Sequence, residues 1–161
     1  MPPGHRYDLT VEWTGNPGDG TTTYRSYGRN HRVQAKGRPV LEGSADPAFL
    51  GDAGRWNPEQ LLVASLSQCH MLWYLHLAVE AGICVTSYVD RPIGLMAENA
   101  DGSGQFTEVV LRPEVTVTDE NRLREASLLH DRVGEKCFVS RSVNFPIRHK
   151  PVTQTPEVLS A

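Results

Sequence analysis

The stretch that most restricts what this chain can fold into is RWNPEQLLVASLSQCHMLWYLHLAVEAG, residues 55–82. Asn57 offers a side-chain oxygen to the free N–H groups of a helix start. Pro58 suits the first helical position, where its missing N–H loses no bond, and Gln60 stands at the reciprocal capping position. Gly82 is placed to end the helix in a left-handed conformation. Between these signals the apolar residues from Leu61 to Val79 leave no wide polar face. The pattern predicts one long helix, covered on most sides and central to the molecule.

A chain of 161 residues with 39% hydrophobic content suits a single domain, 1–161, with a real core. A net charge of -3 without a basic stripe argues against nucleic acid as a partner. The opening MPPGHRYDLT has no apolar signal core, and Gln68, His70, His76 and Glu80 interrupt the helical segment. The expectation is a soluble, cytoplasmic protein with no membrane partner. Cys69, Cys84 and Cys137 are an odd set for a disulfide framework and too dispersed for a zinc ribbon, which leaves reduced thiols or one redox pair.

Along the chain, Tyr7, Leu9, Val11 and Trp13 alternate with polar residues as in a half-buried strand. GNPGDG at 15–20 is a turn. A second strand is expected through 21–29, with Gly28 marking a bulge, and a third through 31–35. Residues 43–55 read as a loop that packs Phe49 and Leu50. After the helix, strands are expected in ICVTSYVD and GLMAENA, then a hairpin at 99–104. A long strand follows, with Thr107, Val109, Leu111, Val115 and Val117 on one face and Pro113 at an edge or bulge. A second helix should begin near Asp119, with Leu123, Ala126, Leu129 or His130, Val133 and Cys137 on its apolar side. A last strand places Val143, Phe145 and Ile147 together, and nothing after His149 compels order.

Cys69 is the sharpest chemical candidate, set mid-helix among small and polar neighbours, although a buried cysteine is commonly just a small hydrophobe. A free thiol with a pKa near 8.5 is only about 3% thiolate at neutral pH, so reactivity requires a cation or a helix N-terminus nearby. The helix start lies roughly 16 Å away, so the cation must come from elsewhere. His70 diverges from Cys69 by about 100° around the helix, and His76 sits roughly 10 Å along it. Neither is read as a metal ligand. Cys137 could meet Cys69 if the two helices pack, and Cys84 reads as a packing residue.

Asn57-Pro58-Glu59-Gln60-Leu61-Leu62, then Ser67-Gln68-Cys69-His70-Met71, then Cys137-Phe138-Val139-Ser140, together resemble the OsmC/Ohr family of osmotically inducible and organic hydroperoxide resistance proteins. The pattern covers most of the chain. SADPAF, WNPE and the Y-x-x-Y-x-R-x-H run at 24–31 point to an OsmC-like branch of it.

The resemblance implies an α+β, OsmC-like fold with antiparallel sheets around two long central helices, in an intertwined homodimer with active sites at the interface. It implies a thiol-dependent peroxidase that reduces organic hydroperoxides. Cys69 matches the peroxidatic cysteine, Cys137 the resolving cysteine and Glu59 the active-site glutamate that orients an arginine. The first-turn arginine of better-known members is missing. Arg29 is favoured in its place, then Arg25 on the same strand face, with Arg55 a third candidate. Trp56, Phe49, Met71 and Trp73 are candidates for an apolar substrate pocket. No bound cofactor is implied, only an external dithiol reductant of lipoyl or thioredoxin type. The alternative is a redox-sensing or ligand-binding relative with little turnover, and a cysteine hydrolase lacks the histidine it would require. In one straight helix Glu59 and Cys69 are roughly 15 Å apart, so Glu59 is expected to serve the Cys69 of the other subunit.

Overall fold

The computed structural model describes residues 4–157. Contacts within the chain divide it into two compact units, 1–61 and 62–161, described in turn.

In the first unit, β1 (Thr10–Trp13), β2 (His31–Gln34) and β3 (Leu41–Gly43) form an antiparallel sheet in the order β1-β2-β3, with Val11 opposite Val33 and Arg32 opposite Glu42. All four residues of β1 are exposed, including those expected to face a core. The strand expected across 21–29 is absent. That segment is a run of turns and bends in which Ser26 Oγ donates to Gly20 O and Thr23 O and accepts from Thr23 N. Such side-chain bonds satisfy backbone groups locally and compete with strand pairing. Gly28 is not a bulge. Its N–H donates to Gly15 O at 2.7 Å, and a Cβ on Gly15 would stand 2.0 Å from Gly28 O, so the loop closes through two glycines. A single 3-10 turn, Pro47–Phe49, is capped by Asp46.

The helix α1 (Pro58–Glu80) starts as its sequence predicts. Gln60 N donates to Asn57 Oδ1 at 2.8 Å, and Asn57 N donates to Gln60 Oε1 at 3.2 Å. Gly82 ends it with a φ of 68°.

The second unit holds most of α1 together with β4 (Val85–Asp90), β5 (Ile93–Glu98), β6 (Gly104–Leu111), β7 (Pro113–Val117), α2 (Leu123–Val133), β8 (Ile147–His149) and β9 (Val152–Gln154). Its strands form two sheets, β4-β7-β9 and β5-β6-β8. Each combines an antiparallel pair with a parallel one, β7 with β9 and β6 with β8, so the expectation of purely antiparallel sheets is corrected. The single long strand is broken at Arg112, whose N–H donates to Asp90 Oδ1 at 2.7 Å instead of entering a ladder. Val109 and Leu111 therefore join one core with Leu66, while Val115 and Val117 join another with Tyr74, Leu77, Ala126 and Val133. Pro113 begins β7, a position that needs no N–H from it.

Further expectations are revised. α2 has 11 residues, so it is not long, and it ends at Val133, four positions before Cys137. Val143 and Phe145 pack beside Leu111 as expected, but only from Ile147 onward is there a strand. The chain after His149 is ordered through Gln154 because β9 lies parallel to β7. On α1 the fully buried residues are Leu66, His70, Tyr74, Leu77 and Ala78, a single stripe, while Leu72 is 61% and Val79 78% exposed. The helix is thus not covered on most sides within one chain. By length and composition α1 could also cross a membrane. Its stripe nevertheless carries the contacts of a core helix, with Tyr74 Oη donating to Ala126 O of α2 at 3.0 Å.

Candidate active site

In the second unit the two cysteines picked out by the sequence come together. Cys69 is half-buried on α1, and Cys137 is fully buried in the turn that follows α2. Cys137 reaches its place because Lys136 N and Cys137 N both donate to Val133 O at 2.9 Å, curling the chain back after the helix. Both thiols are free, and Cys69 packs against the core cluster that holds Cys137. Burial, then the neighbouring Cys137 side chain, push the Cys69 thiol up from its ordinary value, while the backbone at Val139 and Phe138 pulls the other way by favouring the thiolate. Ser140 Oγ lies 3.1 Å from Cys137 Sγ. No cation is among the groups acting on Cys69.

Beside this pair Phe138 and Trp73 meet edge to face, with ring centroids 6.1 Å apart. They line an apolar cavity of about 300 Å³ with Leu72 and His76. Trp73, a predicted pocket residue, is therefore in a pocket. Met71 is half-buried and outside that lining. Cys84, expected to pack, is exposed.

The first unit contains a second cavity, of about 200 Å³, lined by Arg29, Phe49 and Glu59 together with His31, Ser44 and Asp46. Glu59 Oε2 is buried there without a hydrogen-bond partner. Arg29 donates from Nη1 to Tyr27 O and from Nη2 to Tyr24 O at 2.6 Å. Its guanidinium carbon lies over both tyrosine rings, 4.5 Å from the Tyr24 centroid and 4.0 Å from that of Tyr27. Among the described residues Arg29 has no ion pair with Glu59. Arg25 is exposed and does not line the cavity, and without a strand at 21–29 the argument that placed it on one face with Arg29 fails. Arg55 is committed to Glu42 and Asp52. Trp56 is exposed and also outside the lining.

The sequence reading missed several of these contacts. The approach of the backbone at Phe138 and Val139 to Cys69 depends on how the turn after α2 packs on α1, which no local pattern shows. The two tyrosines around Arg29 were visible as the Y-x-x-Y-x-R run, but a strand reading splays them apart. The third omission is a buried pair of imidazoles, His70 Nε2 to His130 Nδ1 at 2.8 Å, with His149 ring centroids 5.8 and 5.9 Å away. Burial, reinforced for each by neighbouring histidines, pulls the pKa of His70 down to about 4 and that of His130 to about 3. Among the described residues no three His, Cys, Asp or Glu side chains are arranged to hold a metal ion.

Comparison with known proteins follows the same lines. An OsmC-like protein in Vibrio cholerae, described as of unknown function, superposes with a TM-score of 0.82 at 29% identity, over 92% of this chain and 100% of the other. An organic hydroperoxide resistance protein from Elizabethkingia anophelis shares the fold with a TM-score of 0.64 at 17% identity, over 94% and 99%. One from Legionella pneumophila does so at 0.66 and 20%, over 95% and 100%. No curated protein matches the chain significantly. The family model for OsmC-like proteins matches residues 51–151, the span that holds both cysteines and the whole of α1, and the chain belongs to the OsmC-like family.

Proposed function

We propose that this protein is a thiol-dependent peroxidase that reduces organic hydroperoxides to alcohols. The observation that carries the reading is the meeting of the free thiols of Cys69 and Cys137 at one core cluster, with an apolar cavity lined by their neighbours Phe138 and Trp73. The Cys69 thiolate attacks the outer oxygen of the hydroperoxide. The O–O bond breaks, the alkoxide leaves and takes a proton as the alcohol, and Cys69 becomes a sulfenic acid. The Cys137 thiol then condenses with it, forming the S–S bond and releasing water. An external dithiol, of lipoyl or thioredoxin type, reduces the disulfide and is itself oxidised. No bound cofactor or metal enters the cycle.

The thiolate still requires a positive neighbour, and Arg29 is the proposed source, with Glu59 in the same cavity. Both belong to a different copy from the cysteine they serve. α1 is helical without a break from Pro58 to Glu80, the premise on which the roughly 15 Å separation of Glu59 and Cys69 rests. The working form is a cytoplasmic homodimer, and exposed apolar residues on α1 and β1 support it. That the Elizabethkingia and Legionella proteins are organic hydroperoxide resistance proteins supports the substrate class.

The test is consumption of cumene hydroperoxide and hydrogen peroxide with dihydrolipoamide or a thioredoxin system. Wild type should turn over the organic peroxide faster, and Cys69→Ser should lose turnover. Activity that survives Cys69→Ser removes the mechanism. A redox sensor with little turnover is the second reading, favoured by the upward push on the Cys69 thiol within one chain. It predicts stoichiometric oxidation of Cys69 without sustained peroxide loss.

A further inference from the structure

Arg29 is held in an unusual way for an active-site guanidinium. Carboxylates commonly fix arginine through two parallel hydrogen bonds, which cancels much of its charge. Here Arg29 is gripped by the carbonyls of Tyr24 and Tyr27 and by the faces of the same two rings. All four acceptors are neutral. A ring face attracts a cation through its quadrupole and a carbonyl through its dipole, so both orient the guanidinium without neutralising it. The loop that presents the cage is itself tied down. Thr14 N donates to Asn30 O at 2.9 Å, Gly28 N to Gly15 O at 2.7 Å, and Trp13 Nε1 to Gly28 O at 2.8 Å. Trp13 also packs edge to face on Tyr27 at 5.9 Å. Glu59 lines the same cavity and keeps one buried carboxylate oxygen without a hydrogen-bond partner among the described residues.

We infer that Tyr24 and Tyr27 are the positioning residues of the site, fixing Arg29 in place of a bidentate carboxylate so that its full charge faces the cysteine it activates. The inference rests on the peroxidase reading and on Arg29 as the activating cation. A guanidinium fixed before substrate arrives loses no side-chain freedom when the thiolate or the departing alkoxide forms, which is how preorganised electrostatics lowers a barrier. Lysine cannot take this place, because an ammonium has no planar face to lie between two rings or to meet two carbonyls at once.

The experiment compares Tyr24→Leu, Tyr27→Leu, Tyr24→Phe, Tyr27→Phe, Arg29→Lys and Arg29→Ala in the full-length protein. Two quantities are read: kcat/KM for cumene hydroperoxide, and the pH midpoint of Cys69 alkylation, which needs no peroxide. Each leucine variant is expected to lower kcat/KM by about three- to tenfold and to move the alkylation midpoint to higher pH, while each phenylalanine variant stays within about twofold. Arg29→Lys should behave like Arg29→Ala. Thermal unfolding and rescue by phenylalanine separate a positioning effect from a folding defect. Leucine variants that match wild type in both readouts overturn the cage. A loss in Arg29→Ala but not in the leucine variants does the same and leaves the peroxidase reading intact. Wild type without peroxide turnover removes that reading instead, and the order of the alkylation midpoints still decides the cage. An Arg29→Ala variant equal to wild type in both readouts overturns the inference.

Discussion

His70 on α1 and His130 on α2 meet in the interior, Nε2 to Nδ1, across a direct hydrogen bond of 2.8 Å. One proton serves that bond, so the pair is at rest when both rings are neutral. His130 also stacks on Tyr74 with centroids 4.1 Å apart, and its Nε2 is buried without a partner among the described residues.

This pair makes stability pH-dependent in a definite direction. Both folded pKa values, about 4 and about 3, lie below the unfolded histidine value, so the unfolded chain binds protons that the folded chain refuses. The stability is complete above about pH 6.5 and is lost as pH falls toward 4, on the order of 2 kcal/mol for each histidine by pH 5. The groups facing the pair are His149, which contacts Asp131 at 2.9 Å, and the Tyr74 and Tyr88 rings. Urea midpoints should fall between pH 7.5 and pH 5 in wild type and change far less in the double variant His70→Leu, His130→Phe. Equal midpoints in wild type at the two pH values would sink the idea.

A second prediction concerns the reactive thiol. Burial is the main reason that the Cys69 pKa is raised, and the neighbouring Cys137 side chain adds to it. Cys137→Ala removes the second contribution and keeps the first. The alkylation midpoint of Cys69 should therefore move to lower pH, read by mass spectrometry in a Cys84→Ser background, because Cys84 is exposed and would compete. A midpoint that stays or rises shows that Cys137 does not hold the proton on Cys69.

What the sequence made legible was local. The α1 start depends on Asn57, Pro58 and Gln60, three neighbours, and Gly82 ends the helix by its own φ. Non-local facts were out of reach. The break at Arg112 exists because Asp90, 22 residues earlier, takes its N–H, and without that partner Thr107 to Val117 reads as one strand. β9 exists because β7 offers it an edge. For the candidate site, the family pattern singled out Cys69, Cys137 and Glu59, and Arg29 was favoured among the arginines on the ground of a strand that the structure does not contain. The His70 contact with His130 was half visible: His130 sat among the apolar positions of α2 and His70 beside Cys69, and nothing in periodicity could bring them together.

The capping box gives a third prediction, free of any functional assumption. Asn57→Ala removes the oxygen bonded to Gln60 N and should destabilise the protein by about 1 kcal/mol. Gln60→Ala should cost less, since the returning bond is longer at 3.2 Å. The double variant should cost less than the sum, because the two bonds form one motif. Chemical denaturation of the three variants checks it, and strict additivity would show that the two contacts act independently.

The last prediction joins assembly to chemistry. Among the described residues β1 pairs with β2 alone, and its Val11 (62% exposed) with Leu9 just before it (60%) forms apolar surface that the second copy of the proposed dimer would cover. Light scattering should give twice the mass of the chain, and Leu9→Lys with Val11→Lys should shift it toward the monomer and remove most of the peroxide turnover. Loss of turnover alone could follow from damage to the first unit, so complementation is the sharper measurement. Cys69→Ser and Arg29→Ala are each expected to be inactive. Mixed by co-refolding, they form dimers in which the Cys69 of one copy faces the intact Arg29 of the other, giving one complete site in each mixed dimer. Random mixing should then restore about a quarter of wild-type turnover, since half of the dimers are mixed and each has one of its two sites intact. If both residues acted within one chain, every site in the mixture would lack one of them, and no activity would return.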